Sequence, residues 1–151
     1  MTVDNLEAVL NRVNQYRQKG EISKELETQL EASYQSSHHL VVYGTLAPGR
    51  ANHNQVEHIV GTWRENVYVE GELLNTGWGT QFGYPMIRWK PGGSRVASYL
   101  LTSEMLPLCW KGLDKFEGPE YCRILIPVFD EQGFVTVGNI YAEKIKVNNV
   151  P

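Results

Sequence analysis

Apolar residues recur along this chain at two different spacings, and the change falls near residue 38. Before it, Leu6, Val9, Leu10 and Val13, with Tyr16 or Arg17, trace one stripe of a 3.6-residue period. Asp4 stands where an N-cap belongs, and Gly20 closes the helix. A second stripe follows in Ile22, Leu26, Leu30 and Ser33-Tyr34, with Ser23 as its cap. The short Gly20-Glu21 connection predicts a helical hairpin over residues 1–38. Two such helices cannot bury their apolar faces against each other alone, so they pack on the rest of the molecule or on a second chain.

From residue 39 the pattern changes to short β-rich runs at 40–43, 67–74, 84–89, 96–101, 123–129 and 135–145. Turn signals separate them: Gly77-Trp78-Gly79, Pro91-Gly92-Gly93 and Glu131-Gln132-Gly133. One helix interrupts the series over 104–117. Ser103 caps it, Pro107 falls where an early proline is tolerated, and Gly118-Pro119 ends it. Its Leu106, Trp110, Leu113 and Phe116 form an apolar face directed at a core. The expected architecture is α+β: residues 39–151 make a mixed sheet closing toward a barrel, the 104–117 helix lies across one end, and residues 1–38 form an N-terminal extension.

Composition narrows the function classes. A chain of 151 residues, 42% hydrophobic, can bury a full core and is expected to form a single enzyme-sized domain. Its 14 basic and 17 acidic side chains are interleaved, which argues against nucleic acid or an anionic membrane surface as a partner. No apolar run approaches the ~20 residues of a spanning helix, and the N-terminus is polar and helical where a signal peptide would be apolar. A cytoplasmic location is therefore expected. Cys109 and Cys122 read as small helix and strand residues rather than as a nucleophile or a zinc pattern. His38-His39, His53 and His58 have no metal-ligand spacing, so neither metal nor cofactor is expected.

Two segments carry candidate chemistry. Tyr43-Gly44-Thr45-Leu46 ends an apolar strand and opens an irregular loop, Ala47-Pro48-Gly49-Arg50-Ala51-Asn52. With no Cβ at Gly44 the chain can curl so that successive N–H groups converge into a concavity suited to a carboxylate or phosphate. An ordinary strand-to-loop turn has the same signature. Asp114 and Glu117 both lie in the last turn of the 104–117 helix, where the helix dipole opposes negative charge and each acid raises the other's proton affinity. A glutamate tuned in this way suits proton transfer near neutral pH; a solvated helix end offset by Lys111 and Lys115 is the plainer reading.

In order and spacing, four stretches together resemble the gamma-glutamylcyclotransferase-like proteins, including the AIG2-like and gamma-glutamylamine cyclotransferase branches. They are Val42-Tyr43-Gly44-Thr45-Leu46 with Gly49 and Asn52-His53; Gly71-Glu72-Leu73-Leu74 with Gly83-Tyr84-Pro85; Leu113-Asp114-Lys115-Phe116-Glu117-Gly118 with Tyr121 and Arg123; and Gly138-Asn139-Ile140-Tyr141. The resemblance spans about residues 39 to 145. It implies that Glu117 is the catalytic acid/base and that Tyr43, Gly44, Thr45 and Leu46 bind the gamma-glutamyl group. Ala47-Pro48 departs from the basic or polar residues that relatives carry in this loop.

The implied reaction is a transferase or lyase step that needs no metal. The α-amine of a gamma-glutamyl amide attacks its own γ-carbonyl, releasing 5-oxoproline and a free amine, and holding the chain curled recovers an effective molarity of about 10⁵ M or more. Tyr121 and Arg123 either shape this site or make a cross-strand pair and a salt bridge to Asp114 or Glu120. Two other readings share the sequence: a non-catalytic module that binds a gamma-glutamyl or other carboxylate ligand, and an interaction protein, homodimeric or partner-docking, that works through its N-terminal helices.

Overall fold

The computed structural model describes residues 3–44, 48–49, 53–74 and 86–145. Helices α1 (Val3–Gln18) and α2 (Lys24–Tyr34) come first. Strands β1 (His39–Val42), β2 (Thr62–Leu74), β3 (Met86–Trp89) and β4 (Ser94–Thr102) follow, then helix α3 (Leu106–Glu117) and strands β5 (Tyr121–Asp130) and β6 (Gly133–Glu143).

The strands run in the order β3-β2-β4-β1-β6-β5, and β2 also pairs with β5, so five strands close a barrel and β3 adds to its outside edge. Only the β1–β6 pair is parallel among the described strands, joined at Leu40 and Asn139; the others are antiparallel. The barrel closes at Tyr68 opposite Phe129, where the two rings stack with centroids 5.5 Å apart and Arg95 lies 4.5 Å above Tyr68. An ion pair between Arg64 and Asp130 flanks this seam. Just before it, β2 shifts register between Arg64 and Val67, and Asn66 has a φ of +62°. A bulge there adds the bend and twist a strand needs to serve two neighbours.

Three apolar clusters explain the strand patterns. Val41, Val67, Val69, Ile124, Ile126 and Ile140 fill the barrel interior. Leu40, Val42 and Leu101 point outward and are covered by Leu106, Trp110 and Leu113 of α3. Leu125 and Val137, on the outer face of β5 and β6, are covered by Leu6, Leu10 and Val13 of α1 with Leu26 and Leu30 of α2. Because β5 is buried on both faces, residues 124–128 form a continuous apolar run rather than an alternation. The hairpin therefore docks on its own barrel. Asn14 of α1, buried, clasps the strand backbone by donating to the Leu125 carbonyl at 2.8 Å and accepting from the Leu125 amide at 2.9 Å.

Several local expectations need adjusting. The first helix already includes Val3, so Asp4 lies inside it rather than ahead of it. Ser23 does cap α2, accepting from the Leu26 amide at 3.5 Å, but Ile22 is 74% exposed and outside the stripe. Ser103 accepts from the Met105 amide at 3.0 Å and donates to the Val60 carbonyl, and α3 begins only at Leu106. Phe116, at the edge of the apolar arc of α3, is exposed. A single helical turn at His53–Gln55, too short to show a period, brings Val56 and Ile59 into the cluster under α3. The turn at 77–79 and the start expected for the third strand at 84–85 lie outside the described residues.

Candidate active site at the barrel mouth

Because β1 and β6 run parallel, their C-terminal ends emerge side by side. β5 starts at that same end, and α3 finishes there before the chain turns into β5. Gly118 makes the turn: its φ of +87° is one that side chains rarely adopt, and its amide closes the helix on the Asp114 carbonyl at 3.1 Å. Glu117 is thereby fixed as the last helical residue, at the end of the barrel where β1 and β6 finish.

Glu117 is half-buried, and burial raises its carboxyl from 4.5 to about 7. The Asp114 charge expected to raise it plays no part. Asp114 is instead engaged elsewhere: Tyr141 donates to its Oδ1 at 2.6 Å, and Arg123 donates to the same oxygen at 2.8 Å. Arg123 also lies 4.4 Å from the centre of the Trp110 ring. The salt bridge that the sequence offered for Arg123 is thus present, with Asp114 as the partner.

Tyr43 directly follows β1, and its ring packs against the barrel interior. Its hydroxyl donates to the Tyr141 carbonyl at 2.7 Å and accepts from the Ile87 amide at 3.1 Å, joining β1, β6 and β3 at the mouth. Burial raises the Tyr43 phenol far above its ordinary range, with Tyr121 and Glu117 adding to the effect. Burial likewise raises Tyr141, helped by Asp114, and Glu117 contributes there too. Glu117 is therefore near enough to both phenols for its charge to be felt. Gly44 bends the chain away from β1; its φ is not in the left-handed region, and a Cβ there would meet no atom within 4 Å among the described residues. Thr45 and Leu46, with most of the loop after them, lie outside the described residues.

The structure brings Tyr43, Gly44 and Glu117 to one end of the barrel and adds Asp114, Tyr121 and Tyr141 around them. Tyr141 supplies its hydroxyl to α3 and its carbonyl to Tyr43, a double duty the sequence did not reveal. Asn139, which the resemblance marks only as part of a closing strand, is another polar residue with a role of its own. It is almost fully buried between apolar neighbours, and an amide in such a strand is a signal that it has partners. No group of three or more His, Cys, Asp or Glu side chains among the described residues could hold a metal ion.

Comparison with known proteins places the whole mouth inside one family. The family model described as gamma-glutamyl cyclotransferase, AIG2-like, matches residues 40–147. No curated protein matches the sequence. Among solved structures, YkqA from Bacillus subtilis superposes with a TM-score of 0.55 at 21% identity, covering 72% of this chain and 36% of that one. The chain thus spans about a third of the Bacillus protein's length. An AIG2-like protein from Mus musculus gives a TM-score of 0.51 at 22% identity, covering 74% of this chain and 80% of that one. PH0828 from Pyrococcus horikoshii gives 0.51 at 15% identity, with 72% and 79% covered. These likenesses establish a shared mixed-barrel fold, and the match of the family model over most of the sequence establishes that the chain belongs to the gamma-glutamyl cyclotransferase, AIG2-like family.

Proposed function

We propose that the protein is a cyclotransferase that converts a gamma-glutamyl amide into 5-oxoproline and a free amine, with Glu117 as general acid/base. The substrate's α-amine, once deprotonated, attacks the γ-carbonyl carbon; the new C–N bond closes the five-membered ring, and the original amide C–N bond breaks. Glu117 accepts a proton from the α-ammonium and delivers it to the departing nitrogen; the attacking nitrogen loses its second proton as the lactam forms, and that proton leaves on the released amine as its ammonium, so no water is consumed and protons balance. The observation that carries this reading is the placement of a half-buried Glu117 at the same end of the barrel as Tyr43 and Gly44, where burial raises its carboxyl to about 7. A group whose two protonation states are both populated near neutral pH can serve in both directions of transfer. Tyr43 contributes as part of the wall, because its hydroxyl already has a protein donor and a protein acceptor. The family resemblance assigns Gly44, Thr45 and Leu46 to the gamma-glutamyl group; in general, a donor aimed at a developing oxyanion is worth about 3 kcal/mol of barrier. The reading takes a small molecule as partner, no cofactor, and a cytoplasmic setting.

The test is to incubate the protein with gamma-glutamyl amino acids, gamma-glutamyl amines and glutathione, and to assay 5-oxoproline. Turnover that falls at least ~10²-fold in Glu117→Gln is the expected result. Equal rates in the variant would remove Glu117 from the mechanism, and ligand binding without product would identify a non-catalytic module instead.

A further inference from the structure

We propose that Arg17, on the helical hairpin outside the family-matched segment, is a positioning residue for the Glu117 end of α3, acting through Asn139 and Arg123. This rests on the reading of Glu117 as acid/base. Arg17 lies at the end of α1, largely buried, and uses every side of its guanidinium. Nε and Nη2 grip the Glu27 carboxylate at 2.8 and 2.7 Å, while Nη1 donates to the Asn139 Oδ1 at 2.9 Å and to the Arg123 carbonyl at 3.2 Å. Arg123 donates from its own Nη1 to that same Asn139 oxygen at 2.8 Å.

Two guanidinium groups therefore converge on one neutral oxygen, each balanced by its own carboxylate, Glu27 for one and Asp114 for the other. Asn139 cannot swing aside to accommodate them, because its Nδ2 donates to the Ser36 carbonyl at 2.8 Å. The result is a relay, Glu27–Arg17–Asn139–Arg123–Asp114, that starts on α2 and ends one turn before Glu117. Each link is a directional, charge-assisted hydrogen bond from an arginine, so the position of Asp114 is set from the far side of the hairpin. Asp114 then holds Tyr141, whose carbonyl holds Tyr43. A cleft of about 560 Å³ beside the relay, edged by Gly20, Ile22, Tyr121 and Lys144, leaves the Arg17 and Arg123 side chains partly hydrated. Loss of Arg17 would leave Glu27 unpaired and let Arg123 turn toward that water.

The experiment compares Arg17→Met and Arg17→Lys with Leu30→Ala, which weakens hairpin packing without touching the relay. Two quantities are read: kcat and KM on an active gamma-glutamyl substrate, and the titration of the Glu117 carboxyl by carbon NMR, assigned with Glu117→Gln. Arg17→Met is expected to lower kcat about tenfold or more with KM nearly unchanged, since small displacements of a catalytic group are costly. Its Glu117 titration should move down from about 7 as water reaches the loosened helix end. Arg17→Lys, with a point charge in place of a fork, should give a smaller shift in the same direction. Leu30→Ala should leave both quantities as in the wild type. A wild-type Glu117 titration in both Arg17 variants, or the same shift in Leu30→Ala, would overturn the proposal. Should the wild type turn over no gamma-glutamyl compound, the functional reading fails by itself, and the NMR titration still decides the role of Arg17.

Discussion

Glu117 binds its proton more tightly in the folded protein than in the unfolded chain, because burial raises it from 4.5 to about 7. Between those values the folded state keeps a proton that the unfolded state releases, so stability falls as pH rises through this window and levels off above about 7. The slope amounts to at most about 3 kcal/mol. Denaturant titrations at about pH 5 and pH 8 should show it in the wild type and lose that share of it in Glu117→Gln; an unchanged pH dependence would contradict a buried carboxyl. Gly44 offers a second check, since nothing in the described fold requires glycine there. Gly44→Ala should keep the wild-type melting temperature to within a degree or two while turnover drops, the added methyl occupying space meant for substrate; full activity would move the substrate elsewhere. The sequence made Glu117 conspicuous as a second acid in a helix end, but for a reason the structure replaces. Its proton affinity comes from burial, which depends on neighbours distant in sequence, whereas Asp114 is drawn away by Arg123 and Tyr141.

Elements were legible where one face is buried and less so where two are. The stripe of α1 and the Gly118-Pro119 stop of α3 followed from periodicity and turn chemistry. β5 did not alternate, because the barrel covers one face and the hairpin the other. Arg17 was ambiguous as a stripe position; a long side chain on the edge of an apolar face can run along it and still present its charge elsewhere, as this one does. The docked hairpin has a measurable energy. Leu30 has no exposed surface and packs with Leu125 and Val137, so Leu30→Ala should cost about 3 kcal/mol in chemical unfolding. A cost below about 1 kcal/mol would mean that the hairpin is not held on the barrel in solution.

The closed barrel itself could be named from the strand-rich pattern and the family resemblance, but its strand order could not, because periodicity says which face is buried and not which strand lies alongside. The parallel β1–β6 pair joins segments far apart in sequence, and it is this pair that sets Tyr43 beside Tyr141. Closure at β2–β5 rests on far fewer backbone pairings than the ten-residue ladder of β5 with β6. Hydrogen exchange should therefore reach the amides around Tyr68 and Phe129 before those at the centre of β5–β6, and Phe129→Ala should widen that difference. Uniform protection around the barrel would argue against a weak seam.

The way α1 is fastened also bears on how the chain reaches this state. Apart from the Arg17–Glu27 pair within the hairpin, Asn14, Arg17 and Gln18 bond to Leu125, Arg123, Asn139, Glu143 and Ile145, all more than a hundred positions later. During synthesis, which proceeds at roughly 5–20 residues each second, the hairpin emerges early and must wait several seconds with Leu6, Leu10 and Leu26 uncovered until β5 and β6 have been made. Nascent chains stalled before β5 should accordingly present a chaperone-binding surface that the finished protein conceals.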